Sequence, residues 1–184
     1  MAERPQTATN ETATAAERMA VKSMGMSEAV WERHANPWSA GTRLASFPLF
    51  ILAGWSPHWI GLWSVLPIAL VAIWAWLNPR LFPPPKRRDS WMTHVTFGER
   101  VWLRRDEVPI PRDHAVWARR LTYAGVAGLL AWIAGAVLGN AALYLTGAAT
   151  AFWAKLWFCD RMVWLYRDMK VRNDTYRRWE YPCP

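Results

Sequence analysis

Charge is missing from two long stretches of this 184-residue chain, Leu44–Pro79 and Leu121–Ala154. The wet faces of a soluble helical protein carry charged side chains every few residues, so these stretches argue against a soluble fold. The 22 Lys and Arg residues and the 14 Asp and Glu residues fall in three blocks around them. The mean hydropathy of −0.06 is therefore an average over very apolar and very polar segments.

Cysteine and histidine are scarce, with two and four residues respectively. The sequence contains no CxxC, P-loop or GxSxG motif, and no two histidines at HxxxH spacing. These absences exclude the recognisable forms of thiol redox, nucleotide-binding, serine hydrolase and membrane di-iron chemistry. The opening segment MAERPQTATNETATAAERMA lacks an apolar core, so we expect a mobile polar tail rather than a signal peptide.

Each uncharged stretch is long enough for two membrane crossings. A single helix through either stretch would be roughly 52 Å long, against a hydrocarbon core of about 30 Å. GWSPHW interrupts the first stretch near its middle, and LGNAA interrupts the second. We therefore predict an all-α membrane protein with four transmembrane helices in two helical hairpins, at about 42–55 and 59–77, and at about 115–138 and 141–166. The first segment contains Pro48, which leaves open whether it spans the membrane or re-enters.

Positive charge predicts the orientation of these helices. Neither hairpin turn contains Lys or Arg, whereas all three charged blocks do. The positive-inside rule then places the charged blocks and both termini in the cytoplasm of a bacterial inner membrane. The 15 tryptophans fall largely near the expected membrane boundaries, as in an aromatic belt. Attraction to anionic lipid headgroups, rather than to nucleic acid, is expected for Lys86, Arg87, Arg88, Arg104, Arg105, Arg119 and Arg120.

The sequence predicts six successive segments. These are a mobile polar tail (1–26), an interfacial helix with the corner where the chain enters the membrane (27–41), the first hairpin (42–77), a basic cytoplasmic loop with an interfacial helix (78–113), the second hairpin (114–166) and a basic cytoplasmic tail (167–184). Ser27 is a suitable N-cap for the first interfacial helix, and Thr96 with Glu99 matches a capping box for the second.

The segment WERHANPWSAGTR, residues 31–43, combines features of a membrane-surface corner. Proline cannot continue a helix, and tryptophan suits the headgroup layer. We interpret five residues here as a structural or interaction motif: His34, Asn36, Pro37, Trp38 and Arg43.

Three ionisable residues, Lys155, Asp160 and Arg161, are predicted to be membrane-embedded, in the last crossing or at its end. Such groups are costly in lipid and are often functional. The lysine can extend to the inner headgroups, while Asp160 requires a cation, for which Arg33, Arg43 and Arg119 are candidates. We expect a structural ion pair.

The histidines do not predict a metal site. His34, His94 and His114 are all expected on the cytoplasmic side, with Glu99 and Asp113 in the same region. Their sequence spacing does not match a metal-binding motif. We therefore predict no metal, no cofactor and no catalytic residue.

Five separated motifs carry a resemblance to a known family. ERHANPWS, NPRLFPPP, GERVWL, VPIPR and DRMVWLYRDM, in this order over residues 29 to 170, resemble a family of small bacterial and archaeal integral membrane proteins of unknown function. The resemblance implies a membrane location, but no activity and no site residues.

These features favour a non-enzymatic accessory or scaffolding subunit of a larger membrane complex. The expected partners are the bilayer, its anionic headgroups, and other membrane subunits or further copies of the chain. Two alternatives remain open: an oligomeric transporter or channel for a small solute or ion, lined by Lys155 and Asp160, and a lipid-directed metalloenzyme that uses the cytoplasmic histidines.

Overall fold

In the computed structural model, residues 8–9, 19 and 27–180 are described. The helices in this part of the chain are α1 (Glu28–His34), α2 (Pro37–Ala45), α3 (Phe47–Trp55), α4 (Pro57–Ile60), α5 (Val65–Leu81), α6 (Trp91–Leu103), α7 (Arg112–Leu138), α8 (Ala141–Arg172) and α9 (Asp174–Glu180), with a 3₁₀ turn at Gly61–Ser64. A short strand, β1 (Ala8–Thr9), pairs antiparallel with β2 (Ile110–Pro111). Apart from residues 8–9 and 19, the predicted polar tail lies outside the described residues. The chain is thus mostly helical.

The longest elements, α7 and α8, form an antiparallel hairpin. Gly139, at φ +65°, ends α7 in the left-handed conformation that favours glycine, and the Asn140 side chain accepts a hydrogen bond from the amide of Leu143 to begin α8. A Cβ atom on Gly128 would lie 2.5 Å from the backbone nitrogen of Ala151. This glycine therefore allows the two backbones to approach closely.

The first hairpin is built from shorter pieces. The chain bends at Ser46 between α2 and α3, turns through α4 and the 3₁₀ segment, and returns as α5. The far end of α3 lies against the turn of the α7–α8 hairpin, because the Tyr144 hydroxyl donates to the carbonyl of Ile51 at 2.6 Å. His58 Nε2 lies 2.8 Å from the carbonyl oxygen of Ala136 at the same end. The turns of the two hairpins therefore lie at the same end of the molecule and contact each other.

Within the described residues, two helical segments rather than the predicted four are long and apolar enough to cross a membrane. These are Pro57–Leu81, which joins α4, the 3₁₀ turn and α5, and Arg112–Leu138, which is α7. The other two predicted crossings fail for local reasons. The bend at Ser46 leaves α2 and α3 with nine residues each, and the first half of α8 contains a charge at Lys155 among its apolar residues.

The helix predicted to lie on the membrane surface, α6, is instead part of the packed core. Phe97 and Val101 are buried against α8, in a cluster that includes Met162 and Tyr166. A Cβ atom on Gly98 would overlap the backbone of Met162, so this position brings α6 directly onto α8. The predicted capping box is also wrong. The helix begins ahead of Thr96 and Glu99, where the Ser90 hydroxyl accepts from the amide of Thr93.

Candidate functional site

A cavity of about 400 Å³ lies where α2, α6 and α8 meet, beside the end of α1. Its polar groups come from four separate parts of the sequence. The charged, histidine and thiol side chains in its lining are His34, Arg43, Glu99, Lys155 and Cys159. The rest of the lining is largely apolar and includes Leu44, Phe47, Val95, Phe152 and Leu156. The combination of a few convergent polar groups with apolar walls is typical of a small-molecule site.

Arg43 and His34 form the first polar pair in the cavity. Arg43 Nη1 lies 2.9 Å from Nδ1 and 3.2 Å from Nε2 of the imidazole. A guanidinium can only donate, so the accepting ring nitrogen carries no proton. Burial, followed in size by the charge of Arg43, lowers the pKa of His34 to about 3. The imidazole is therefore neutral at pH 7.

Lys155 and Glu99 form the second pair. Lys155 Nζ lies 2.6 Å from Glu99 Oε1, and the other carboxylate oxygen is 4.0 Å from His34 Nε2. Burial acts to raise the pKa of Glu99, but the charge of Lys155 and its hydrogen bond oppose this effect, and the net pKa lies below the usual value. Glu99 is thus a carboxylate at pH 7, and it bridges the two polar pairs.

Only some of the site residues predicted from the sequence meet at the cavity. His34, Arg43 and Lys155 line the cavity, whereas Asp160 and Arg161 do not. The suggested pairing of Arg43 with Asp160 is wrong, since Arg43 bonds to His34 instead. Asp160 lies 3.5 Å from Arg161 and accepts from the indole nitrogen of Trp91 at 3.5 Å. Asp160 therefore points along its own helix and toward the start of α6.

The corner motif lies beside the cavity and holds its helices in place. Asn36 caps α2 by accepting from the amide of Trp38 at 2.9 Å, and its side-chain nitrogen donates to the carbonyl of Pro83 at 2.8 Å. Pro37 occupies the first turn of α2, where its missing N–H group is not needed. The Trp38 side chain projects outward and is 74% exposed.

A second polar network ties the start of α2 to α5. The hydroxyl of Ser39 donates to Asn78 Oδ1 at 2.8 Å, and Asn78 Nδ2 donates to the hydroxyl of Thr42 at 2.9 Å. Ser39 and Asn78 are fully buried. Since each of these bonds satisfies a buried polar group, the network fixes the position of α2 relative to α5.

The seven basic residues assigned to lipid headgroups occupy different environments. Arg105 is only 3% exposed, and its Nη1 donates to the carbonyl of Trp102, so the headgroup assignment is wrong for this residue. Arg88 is used within the protein, where it donates to the carbonyl of Trp179. Arg104 bonds to Glu28 at 2.8 Å. The remaining members, with side chains at the surface, are Lys86, Arg87, Arg119 and Arg120.

The three histidines considered for a metal site are separated in the fold. His34 faces Arg43, His94 lies 3.5 Å from Glu180, and His114 lies 2.7 Å from Asp168. Among the described residues there is no group of three or more His, Cys, Asp or Glu side chains placed to hold a metal ion.

The sequence indicated Glu99 only as a helix cap and as a neighbour of the cytoplasmic histidines, and its pairing with Lys155 was not predicted. Its TxxE spacing with Thr96 matches a helix cap, and this local pattern concealed its long-range partner. The available signal was Lys155, an isolated cation in an apolar stretch that requires a carboxylate partner. A search for unassigned acidic residues on the same predicted side would have included Glu99.

Both cations of the cavity have hydrogen-bond partners within the protein, because Arg43 bonds to His34 and Lys155 bonds to Glu99.

Comparison with known proteins gives a family and no activity. No match is found among the curated proteins or among the solved structures. One family model, described as a family of unknown function (DUF6653), matches residues 14–179. Because this match covers most of the chain, the protein belongs to that family.

Proposed function

We propose that this protein is an integral membrane protein without chemistry of its own, which acts as an accessory or scaffolding subunit of a larger membrane complex. The observation that carries the membrane assignment is the exposure of the two apolar helical segments. In their most apolar windows, only 6% of Pro57–Leu81 and 17% of Arg112–Leu138 is buried within the protein. A core helix of a soluble protein would be mostly covered, so this surface requires a bilayer or another apolar partner.

Aromatic residues support this placement. Trp59 and Trp63, near the turn of the first hairpin, are 64% and 80% exposed. Trp76 and Trp157 are 51% and 52% exposed; Trp76 lies near the opposite end of α5, and Trp157 lies about 24 Å along α8 from the turn of the second hairpin. Two bands of exposed indole rings on either side of an apolar surface are typical of a membrane protein.

The hairpin geometry supports an orientation with both ends of the chain on one side. Arg120, the last charge before the apolar part of α7, lies about 27 Å from the end of that helix, close to the thickness of the hydrocarbon core. The antiparallel helix α8 packs against α7 and α6 and returns the chain toward the starting side. By the positive-inside rule the shared side is the cytoplasm.

The hydrogen-bonded pairs in the cavity support the proposal that this protein catalyses no reaction. Arg43 is bonded to His34 and Lys155 to Glu99, so these groups stabilise the junction between helices. The exposed apolar faces of α5 and α7, with side chains such as Leu70 and Leu130 at about 60% exposure, supply surface for neighbouring subunits within the bilayer.

The first test concerns membrane insertion. We expect the protein to remain in the membrane pellet after a high-salt wash and a carbonate wash, because spanning helices are not released by screening of charge. Single cysteines introduced at Arg88 and Glu107 should be labelled by an impermeant maleimide only after the membrane is opened. Recovery of the intact chain in the carbonate wash would contradict insertion, and labelling from outside in sealed cells would contradict the orientation.

The second test concerns the accessory role. Extraction in a mild nonionic detergent, followed by affinity purification of the tagged chain from its native host, should yield a larger complex at fixed stoichiometry. The stoichiometry should persist when the expression level changes, because a true subunit is limited by its partners. Isolation of only the monomer, in a detergent that preserves other membrane complexes of the same cells, would contradict the role.

A further inference from the structure

The cavity has one more positive than negative charge. Its lining contains two permanent cations, Arg43 and Lys155, and one carboxylate, Glu99. Glu99 is bonded to Lys155, while Arg43 faces the neutral ring of His34. A cation bonded to a neutral group in a largely apolar setting is incompletely compensated, and it favours an anion.

The walls of the cavity favour an apolar extension on that anion. Leu44 and Phe47 line it from the first hairpin, and Phe152 and Leu156 line it from α8. The volume of about 400 Å³ lies within the range of small-molecule sites. A small soluble anion would satisfy Arg43 but would leave these four side chains without an apolar partner, so an amphiphile fits the lining better.

The cavity opens at a depth that suits a lipid. Lys155 is the most exposed of its charged groups, with 63% of its side chain accessible. Its backbone lies about 21 Å along α8 from the outer turn, so within a core of about 30 Å its extended side chain reaches toward the inner boundary. The phosphates of the inner leaflet lie just beyond that boundary.

We propose that the cavity binds one anionic phospholipid from the inner leaflet, with its phosphodiester beside Arg43 and Lys155 and its acyl chain along the apolar wall. The inference rests on the membrane insertion proposed above and adds a specific ligand to it. A phosphodiester with an uncharged headgroup neutralises the single excess charge, whereas a zwitterionic lipid brings its own cation toward Arg43 and Lys155.

Cys159 provides a reporter inside the cavity. In the Cys183→Ser background it is the only thiol, because the chain contains two cysteines. The full-length protein, purified in nonionic detergent, is alkylated with a maleimide in the presence of dioleoylphosphatidylglycerol, dioleoylphosphatidylcholine, oleate or inorganic phosphate. We expect phosphatidylglycerol to slow alkylation at least fivefold, and phosphatidylcholine and phosphate to leave the rate unchanged.

Three variants distinguish binding of the lipid in the cavity from nonspecific electrostatic attraction of the lipid to the protein surface. Arg43→Gln should abolish the protection, while Lys86→Gln, which removes an exposed cation outside the cavity, should retain it. Ala40→Leu fills space at the lining without changing charge and should also abolish protection. A thermal unfolding curve for each variant shows that it is folded, and Ala40→Leu tests the site even if Arg43→Gln fails to fold.

The outcomes distinguish this inference from the proposed function. Equal protection by both phospholipids, or loss of protection in Lys86→Gln, would overturn the cavity site in favour of nonspecific adsorption. Protection by oleate alone or by inorganic phosphate alone would overturn the phospholipid assignment in favour of a fatty acid or a soluble anion. Absence of protection by any probe would overturn the site, while resistance to carbonate extraction would still support the membrane protein.

Discussion

Replacing Glu99 with glutamine should destabilise the protein in bicelles by about 3 kcal/mol, because it leaves the ammonium of Lys155 without its carboxylate in a setting with little water. In water the same pair would contribute at most about 1 kcal/mol, since 63% of the Lys155 side chain is accessible and would be screened by solvent. The size of the loss therefore reports whether this surface faces lipid. The free energy of unfolding can be measured by titration with SDS in bicelles.

The double variant Glu99→Gln with Lys155→Met should recover most of the lost stability, because it removes the uncompensated charge together with its partner. Asp89→Asn provides the matched control. Its carboxylate pairs with Arg87 at 2.7 Å, with 85% of the arginine side chain and 54% of the aspartate side chain exposed. We expect the control to have little effect on the free energy of unfolding, because solvent screens an exposed pair. If Glu99→Gln costs no more than Asp89→Asn, the cavity lies in water and its placement at the membrane is wrong.

The parts of the fold that depend on local sequence were predictable. Asn36 and Pro37 are typical of a helix start, because the asparagine side chain caps the helix and the proline ring presets φ, whereas the same pair at Asn78 and Pro79 lies inside the end of α5. Gly139 and Asn140 likewise end one helix and begin the next within the interrupted second stretch. Each of these signals acts within a few residues, so the sequence alone indicates where the chain turns.

The partners of the charged residues were not predictable, because they depend on how separate helices pack. Arg43 meets His34 across the Asn36–Pro37 corner, and Lys155 meets Glu99 because Gly98 brings α6 onto α8. No periodicity in the sequence specifies that contact. The same packing explains why α6 is not a surface helix, although its arginines suggested one. The site is therefore assembled by the packing of helices that are distant in the sequence, and the composition of each helix does not specify it.

Acid should destabilise the protein before its carboxylates begin to titrate. The pKa of His34 is about 3 in the folded chain, against 6.5 for an ordinary histidine, because the ring is buried beside Arg43. A histidine with a depressed pKa takes up its proton on unfolding, so acid favours the unfolded state. Its contribution to stability is complete above pH 6.5, falls as the pH drops below 6.5, and stops falling near pH 3.

His34 should therefore cost about 1 kcal/mol of stability per pH unit below pH 6, or about 2 kcal/mol between pH 6.5 and pH 4.5. This pH range distinguishes the effect of His34 on stability from that of the carboxylates, which titrate at lower pH. The pKa of Glu99 is lowered, so its contribution is lost only below the ordinary value of 4.5. Burial also lowers the pKa of His94, which adds to the slope in the same direction. The measurement is the free energy of unfolding in detergent at half-unit steps of pH.

Substitution can divide the pH dependence of the free energy of unfolding between His34 and His94. In His34→Gln the amide oxygen can still accept a hydrogen bond from Arg43, but the side chain binds no proton, so the pH dependence of the free energy of unfolding between pH 6.5 and pH 4.5 should fall by about 1 kcal/mol per pH unit. His94→Gln should remove a separate part, because its ring faces Glu180 rather than the cavity. An unchanged slope in His34→Gln would mean that this ring is already protonated at neutral pH. A protonated ring cannot accept from Arg43 at either nitrogen, and the excess positive charge in the cavity would then be two rather than one.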